Sequence, residues 1–180
     1  MTEETYILLF VLSLCFSAFF SGMEQAYLSS NRLRVEVERT RGSLRGQING
    51  LFYRKQSTMI AMMLLGNNIS LVVYGITFGH LLIGESKQLW GIENEIALLV
   101  IQTILSTLLV LLGAEFFPKA IATINPNRFL NLGTYPLLVV FICLYLPTQF
   151  ILFLSLLLIK ITGSKLKTSE KVFSKVDLEH

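Results

Sequence analysis

The sequence predicts an all-α membrane protein, with three transmembrane helices and additional juxtamembrane or re-entrant helices. Of its 180 residues, 53% are hydrophobic and only 15% are charged, whereas soluble domains carry about 25% charged residues. Three apolar runs begin near Thr5, Ser57 and Ile96. At about 1.5 Å of rise per residue, each is long enough to cross ~30 Å of hydrocarbon. Polar side chains interrupt each run at one place, and these interruptions carry the functional hypotheses.

The first predicted span runs from Thr5 to about Ser30 and becomes polar in its second half. On a helix, Ser21, Glu24 and Gln25 share one face, because residues three and four apart are neighbours. We expect that face to point away from lipid. The run follows glutamates rather than a basic segment and lacks a small-residue cleavage site, so it is not predicted to be a signal peptide.

The connection at residues 31–55 carries seven basic residues against two glutamates. The positive-inside rule places this connection in the cytoplasm and the N-terminus outside. Two interpretations stay open for its structure. It is either a solvated loop or a helix that lies at the inner leaflet, where its basic residues favour anionic lipid.

The second predicted span, residues 57–83, contains the sequence LLGNNISL near its middle. Asn67, Asn68 and Ser70 are suited either to hydrogen bonds between helices or to binding a hard cation through neutral oxygens. Gly66 allows close helix packing. The predicted outer loop at 84–95 carries more glutamate than lysine, and Trp90 is typical of a membrane interface.

The third predicted span, residues 96–123, places Glu115 and Pro118 in an otherwise apolar run. A charged group facing lipid at the bilayer centre costs at least ~2.5–3.5 kcal/mol, so we expect Glu115 to face protein or water. Proline lacks a backbone N–H and leaves the carbonyl four residues earlier without its helical partner. A carboxylate beside such a carbonyl suits a cation. We expect the three polar clusters to converge only through helix breaks, at Gly22, Gly66 and Pro118.

The run at 129–161 is predicted to form two shorter helices that dip into the membrane or lie along it. Pro147 falls in its middle, and the lysine-rich tail that follows favours a cytoplasmic C-terminus. We assign residues 1–165 to the membrane domain and 166–180 to the start of a cytoplasmic segment. The final Leu-Glu-His is either native or the remnant of an expression tag.

The polar groups of the three spans are all oxygen donors. Such sets bind Mg²⁺, Ca²⁺ or Na⁺ rather than zinc or copper, which favour His and Cys. The sequence contains no Ser/His/Asp arrangement, glycine-rich phosphate loop or metalloprotease helix, so we do not expect an enzyme with catalytic residues. It also contains no nucleic-acid-binding motif.

Three motifs, FFSGMEQAYLS, LLGNNIS and AEFFPKAIA, resemble the transmembrane domain of the CNNM/CorC magnesium-transporter family, in the same order and over nearly the whole chain. The resemblance implies a homodimer in the cytoplasmic membrane, with three spans per protomer. It also implies Mg²⁺ efflux with Na⁺ as a candidate coupling ion. In the family, a nucleotide-binding CBS-domain pair follows the membrane part, and this pair is absent from the present chain.

By position in these motifs, the resemblance implies a metal site drawn from seven residues: Ser21, Gly22, Glu24, Asn67, Asn68, Ser70 and Glu115. Besides Gln25, which replaces a small residue, two positions depart from the family pattern. Ala114 replaces a glycine, and Met23 stands where a small hydroxyl residue is usual. These departures motivate an alternative function, a non-transporting scaffold or sensor of the same fold that acts with partner proteins.

Overall fold

The computed structural model describes residues 2–89 and 95–161, with side chains for 2–81 and 96–161. Trp90 and the segment 166–180 lie outside the described residues. Every described element is a helix. The helices are α1 Glu3–Ser29, α2 Arg32–Thr40, α3 Leu44–Arg54, α4 Gln56–Leu89, α5 Glu95–Leu109, a π-helical segment Val110–Phe116, α6 Phe117–Ile124 and α7 Pro126–Ile161.

The prediction of an all-α membrane protein is confirmed, and four of its helical stretches are long and apolar enough to cross a bilayer. They are Glu3–Ser29, Gln56–Leu81, Ile96–Ile124 and Pro126–Ile161. Helix α4 continues past residue 83 to Leu89, so the first part of the predicted outer loop at 84–95 is helical, and residues 90–94 lie outside the described residues.

The prediction of two shorter helices within residues 129–161 is wrong, because α7 continues through both Pro136 and Pro147. Apolar helices tolerate proline when nearby side chains satisfy the backbone groups that it frees. Next to Pro147, the Thr148 hydroxyl donates to the Leu144 carbonyl at 2.6 Å. This bond reinforces the helix one residue beyond the Cys143 carbonyl, which is the one that Pro147 leaves without its α-helical partner.

The basic connection between α1 and α4 is a hairpin of two short helices, so the solvated-loop interpretation is wrong. The Asn31 side chain caps α2 by accepting the Leu33 N–H at 2.9 Å, and Ser43 caps α3. Between them Gly42 adopts a φ of +76°, a conformation that glycine enters readily. A methyl group on Gly46 would lie 2.5 Å from the Glu38 carbonyl carbon, so α2 and α3 pack closely.

Neither α1 nor α4 breaks at its glycine, contrary to the prediction for Gly22 and Gly66. Both glycines instead accommodate aromatic rings. A Cβ at Gly22 would lie 2.9 Å from the Phe129 ring, and one at Gly66 would overlap the Phe20 ring. The prediction that Gly66 permits close packing therefore describes its role correctly.

The buried hydrophobic core lies at the end of the bundle that carries α2 and α3, where Met23, Phe52 and Leu137 are completely buried. Two tyrosines join α1 to α3 there. The Tyr27 hydroxyl donates to the Phe52 carbonyl at 3.1 Å, and the Tyr53 hydroxyl donates to the Tyr27 carbonyl at 3.0 Å. Burial raises the pKa of Tyr53, so this hydroxyl stays protonated at neutral pH.

A polar network also crosses this core and ties α3 to α7. Asn49 is completely buried, and its Nδ2 donates to Asn131 Oδ1 at 2.9 Å. The Thr134 hydroxyl donates to Asn49 Oδ1 at 3.1 Å. The Asn131 amide in turn donates to the Glu38 carboxylate on α2 at 3.2 Å. One buried amide therefore couples the hairpin to the last helix.

We expect Asn49→Ala to lower the free energy of unfolding by about 1–3 kcal/mol, because it removes two side-chain hydrogen bonds from the core and leaves Asn131 Oδ1 without this donor. Gln47→Ala is the matched control, since Gln47 is exposed on the same helix. Thermal unfolding in detergent measures both variants. Equal melting temperatures for the two would show that the network contributes nothing to stability.

Candidate intramembrane cation site

The third candidate span changes helical geometry just before its proline. Residues Val110–Phe116 form a π-helix, in which the Phe117 N–H bonds to the Leu112 carbonyl five residues earlier. Pro118 has no N–H to bond to the Ala114 carbonyl four residues earlier. The wider π-helical turn changes which N–H groups bond to the carbonyls that precede the proline. Such turns are rare and occur frequently at functional sites. The predicted irregularity at Pro118 is thus a change of helix type, and Glu115 lies within it.

Asn67 of α4 faces α1 and is already held in place. The Ser17 hydroxyl donates to its Oδ1 at 2.6 Å. Because a carbonyl oxygen has two lone pairs, Asn67 keeps an acceptor site after this bond. Ser17 was not among the predicted site residues.

A hydrogen bond between α4 and α5 allows the depth of Glu115 in the membrane to be compared with that of Asn67. The Tyr74 hydroxyl donates to the Ser106 carbonyl at 3.2 Å, and the two helices run in opposite directions. Asn67 lies seven residues from Tyr74 toward the hairpin, and Glu115 lies nine residues from Ser106 in the same direction. At about 1.5 Å per residue, with the shorter rise of the π turns, both lie at the same depth to within about one helical turn.

Ser21 is the candidate oxygen ligand on α1. It follows Ser17 by four residues and therefore lies one turn away on the same face. Its side chain is 1% exposed. Among the side chains that the structure describes, the Ser21 hydroxyl is the buried polar group without a hydrogen-bond partner. The helix that carries this hydroxyl, α1, packs against both the π-helical segment and α6.

A cavity of about 380 Å³ reaches the Glu115 side chain from the other side, between α4 and α5. Tyr74 and Leu71 line it from α4, and Ser106 and Thr107 line it from α5. Leu71 and Tyr74 share a helical face with Asn67, at spacings of four and seven residues. The half-buried Glu115 is one of the residues that line this cavity.

The other predicted site residues lie around this group rather than within it. Glu24 is half-buried one turn beyond Ser21, and Asn68 is exposed on the surface of α4. The Ser70 hydroxyl donates to the Gly66 carbonyl at 2.9 Å. Gly22 packs against the Phe129 ring. Ser21, Asn67 and Glu115 thus lie on α1 and on two segments that pack against it, α4 and the π-helix.

The two departures from the family pattern affect packing. Met23 is completely buried against α7, where it fills the space left by Gly133. Ala114 is completely buried in the π-helical segment. Neither side chain is needed as an oxygen donor in this arrangement.

In the described part of the chain, no group of three or more His, Cys, Asp or Glu side chains is placed to bind a metal ion. A cation here would depend on one carboxylate and several neutral oxygens. Ser17 could have been found from the sequence, because Ser13, Ser17 and Ser21 recur every four residues along α1. Tyr74, Ser106 and Thr107 gave no such signal.

These features define a multi-pass, all-α membrane protein that encloses a polar group within its apolar spans. The chain belongs to the Cyclin M transmembrane N-terminal domain family, whose match covers residues 7–180, and the predicted family resemblance is confirmed. A similar protein of Haemophilus influenzae, described only as a UPF0053 protein, is 25% identical over 97% of this chain. The chain spans 40% of that relative's length.

Proposed function

We propose that this membrane domain exports Mg²⁺ across the cytoplasmic membrane through an intramembrane site made of oxygen ligands. The observation that carries the proposal is the Ser21 hydroxyl, which is buried and unpartnered on α1, the helix that packs against the π-helical segment of Glu115. Buried polar groups almost always have a partner. A ligand that is bound during the transport cycle supplies one.

The proposed ligands match the preferences of Mg²⁺. Glu115 provides the negative charge, and Ser21 and Asn67 provide neutral oxygens from two other helices. Mg²⁺ releases its water reluctantly and keeps several water molecules in most protein sites, so three protein ligands leave room for them. Glu24, one turn beyond Ser21, is placed to bind the ion as it enters or leaves.

The cavity beside Glu115 provides the second half of the route. Its lining combines hydroxyl groups, from Tyr74, Ser106 and Thr107, with aliphatic side chains, and Tyr74 is hydrogen-bonded to Ser106 across α4 and α5. With the N-terminus outside, this cavity lies on the outer side of Glu115 and Glu24 on the cytoplasmic side. We propose Na⁺ as the coupling ion, since it also binds oxygen ligands.

We further propose that the chain works as a homodimer, with cytoplasmic CBS domains in the full-length protein. Two observations support a second copy. The most apolar window of the third candidate span has no buried residue, and the Asn68 amide is exposed within the second span. An amide in contact with lipid loses its hydrogen bonds, whereas contact with a second protomer can restore them.

The variant Ser21→Ala tests the proposal through two effects of opposite sign. Removing an unsatisfied buried hydroxyl should raise the free energy of unfolding without Mg²⁺ by up to about 1–3 kcal/mol. The variant should bind Mg²⁺ more weakly, and a ligand that binds the folded state more weakly stabilises it less. The rise in melting temperature on adding Mg²⁺ should therefore be smaller than in wild type. Thermal unfolding in detergent, with and without Mg²⁺, measures both effects.

Ser13→Ala is the matched control. Ser13 is also buried on α1, but its hydroxyl donates to the Phe10 carbonyl at 2.9 Å, so its loss should not change the Mg²⁺ response. If Ser21→Ala stabilises the protein and Mg²⁺ affects neither variant nor wild type, the hydroxyl is not a ligand. That result would favour the scaffold or sensor function instead.

A further inference from the structure

A polar cavity of about 450 Å³ lies where the turn between α6 and α7 meets the α2–α3 hairpin. Three arginines from three helices line it: Arg34 on α2, Arg45 on α3 and Arg128 on α7. None of them belongs to the proposed cation site. The fold therefore gathers cationic side chains that are distant in sequence around one concave surface.

The balance of charge in this cavity is positive. The Glu38 carboxylate lies 3.6 Å from the Arg34 guanidinium and also accepts a hydrogen bond from Asn131, so it offsets one arginine. In the described part of the chain, no carboxylate forms an ion pair with Arg45 or Arg128. Arg45 instead lies over the Tyr135 ring at 5.4 Å, which orients its guanidinium without neutralising it.

Neutral donors complete the cavity. The α7 helix begins at Pro126 within it, and the first N–H groups of a helix lack intrahelical partners and favour anions. Asn127 Oδ1 accepts the Asn31 N–H at 3.1 Å, so the Asn127 amide nitrogen remains available to donate. Guanidinium groups, an amide and backbone N–H groups together form a set suited to phosphate oxygens.

The position of the cavity favours a lipid over a soluble anion. It lies at the turn between the candidate spans Ile96–Ile124 and Pro126–Ile161, so it must lie at one face of the bilayer. Leu132 lines the cavity and is 67% exposed. Leu33 and Leu44 on the hairpin are 77% and 68% exposed. A phospholipid would bring both a phosphate and acyl chains to this surface.

We infer that this cavity binds the phosphate headgroup of an anionic phospholipid. The lipid bridges the α2–α3 hairpin and the start of α7, with its acyl chains along the exposed leucines. This inference is independent of the proposed ion transport. Free phosphate shares the headgroup chemistry but has no use for the leucines, and the experiment separates the two.

Native mass spectrometry of the full chain in detergent tests the inference. The protein is titrated with dioleoyl phosphatidylglycerol, with dioleoyl phosphatidylcholine, and with phosphatidylglycerol in excess inorganic phosphate. Wild type should bind phosphatidylglycerol about five-fold or more tightly than phosphatidylcholine, since one basic residue near a membrane surface contributes roughly that factor to the affinity for an anionic lipid. Arg45→Gln combined with Arg128→Gln should remove most of this preference.

The matched control is Arg41→Gln combined with Arg54→Gln, which removes the same charge from exposed positions of the hairpin outside the cavity. It should keep the wild-type preference. Should the Arg45/Arg128 variant unfold, the single variant Arg128→Gln replaces it, because one substitution at the start of α7 leaves the hairpin intact. An unchanged preference in the cavity variants overturns the inference. Full displacement of the lipid by phosphate also overturns it, in favour of a soluble anion.

Discussion

Glu115→Gln is expected to reduce Mg²⁺ flux to the background of empty vesicles, a loss of at least about ten-fold. The amide keeps the size and one oxygen of the carboxylate but removes the negative charge from the group formed with Ser21 and Asn67. Without that charge, two neutral oxygens cannot offset the hydration that Mg²⁺ gives up. Reconstituted vesicles containing a Mg²⁺-sensitive dye measure the flux.

Glu36→Gln is the control for this experiment, because Glu36 is an exposed carboxylate on α2 that pairs with Arg39. It should leave the flux unchanged. Flux through Glu115→Gln at more than half of the wild-type rate would show that Glu115 is not the anionic ligand. In that case Glu24 would be the next carboxylate to test.

Gly66→Ala is expected to lower the free energy of unfolding by about 1–3 kcal/mol, the usual cost of overpacking a well-packed interface. The added methyl group would overlap the Phe20 ring, and Phe20 is 5% exposed. Either the Phe20 ring shifts into the apolar cavity that it lines together with Gly66, or α1 and α4 separate. Asn67 follows directly in the chain, so the Ser17–Asn67 hydrogen bond should weaken as well.

The same helix provides the control. A methyl group added at Gly75 would have no atom of another residue within 4 Å, and replacing a helical glycine with alanine at such a place favours the helix by about 0.5–1 kcal/mol. Gly75→Ala should therefore match or exceed the stability of wild type. Thermal unfolding that ranks Gly66→Ala at or above Gly75→Ala would contradict the packing described for α1 and α4.

The elements that sequence predicted well are those governed by local composition. Apolar runs long enough to span a bilayer marked α1, α4 and the α5–α6 stretch, and the basic run at 31–55 marked the connection between the first two spans, although not its two-helix structure. A carboxylate and a proline in one apolar run marked the irregular part of the third span. Each of these signals depends on residues that are close together in the chain.

The parts that sequence missed depend on contacts that local composition does not reveal. Pro147 argued for a break in α7, but the helix continues through it, and the Thr148 hydroxyl adds a bond to the Leu144 carbonyl in the same turn. The glycines at 22 and 66 argued for breaks, but each faces an aromatic ring from another helix. The partnership of Ser17 with Asn67 spans fifty residues, and no local pattern predicts it.

Isothermal titration of Mg²⁺ measures whether Ser21, Asn67 and Glu115 form a Mg²⁺ site. Wild type and Glu115→Gln are compared in detergent at matched Na⁺ concentration. We predict saturable Mg²⁺ binding to wild type that is lost in the variant, while both proteins stay folded. Equal saturable binding to both proteins, or a wild type whose heat and thermal stability are indifferent to Mg²⁺, would contradict a site at these residues.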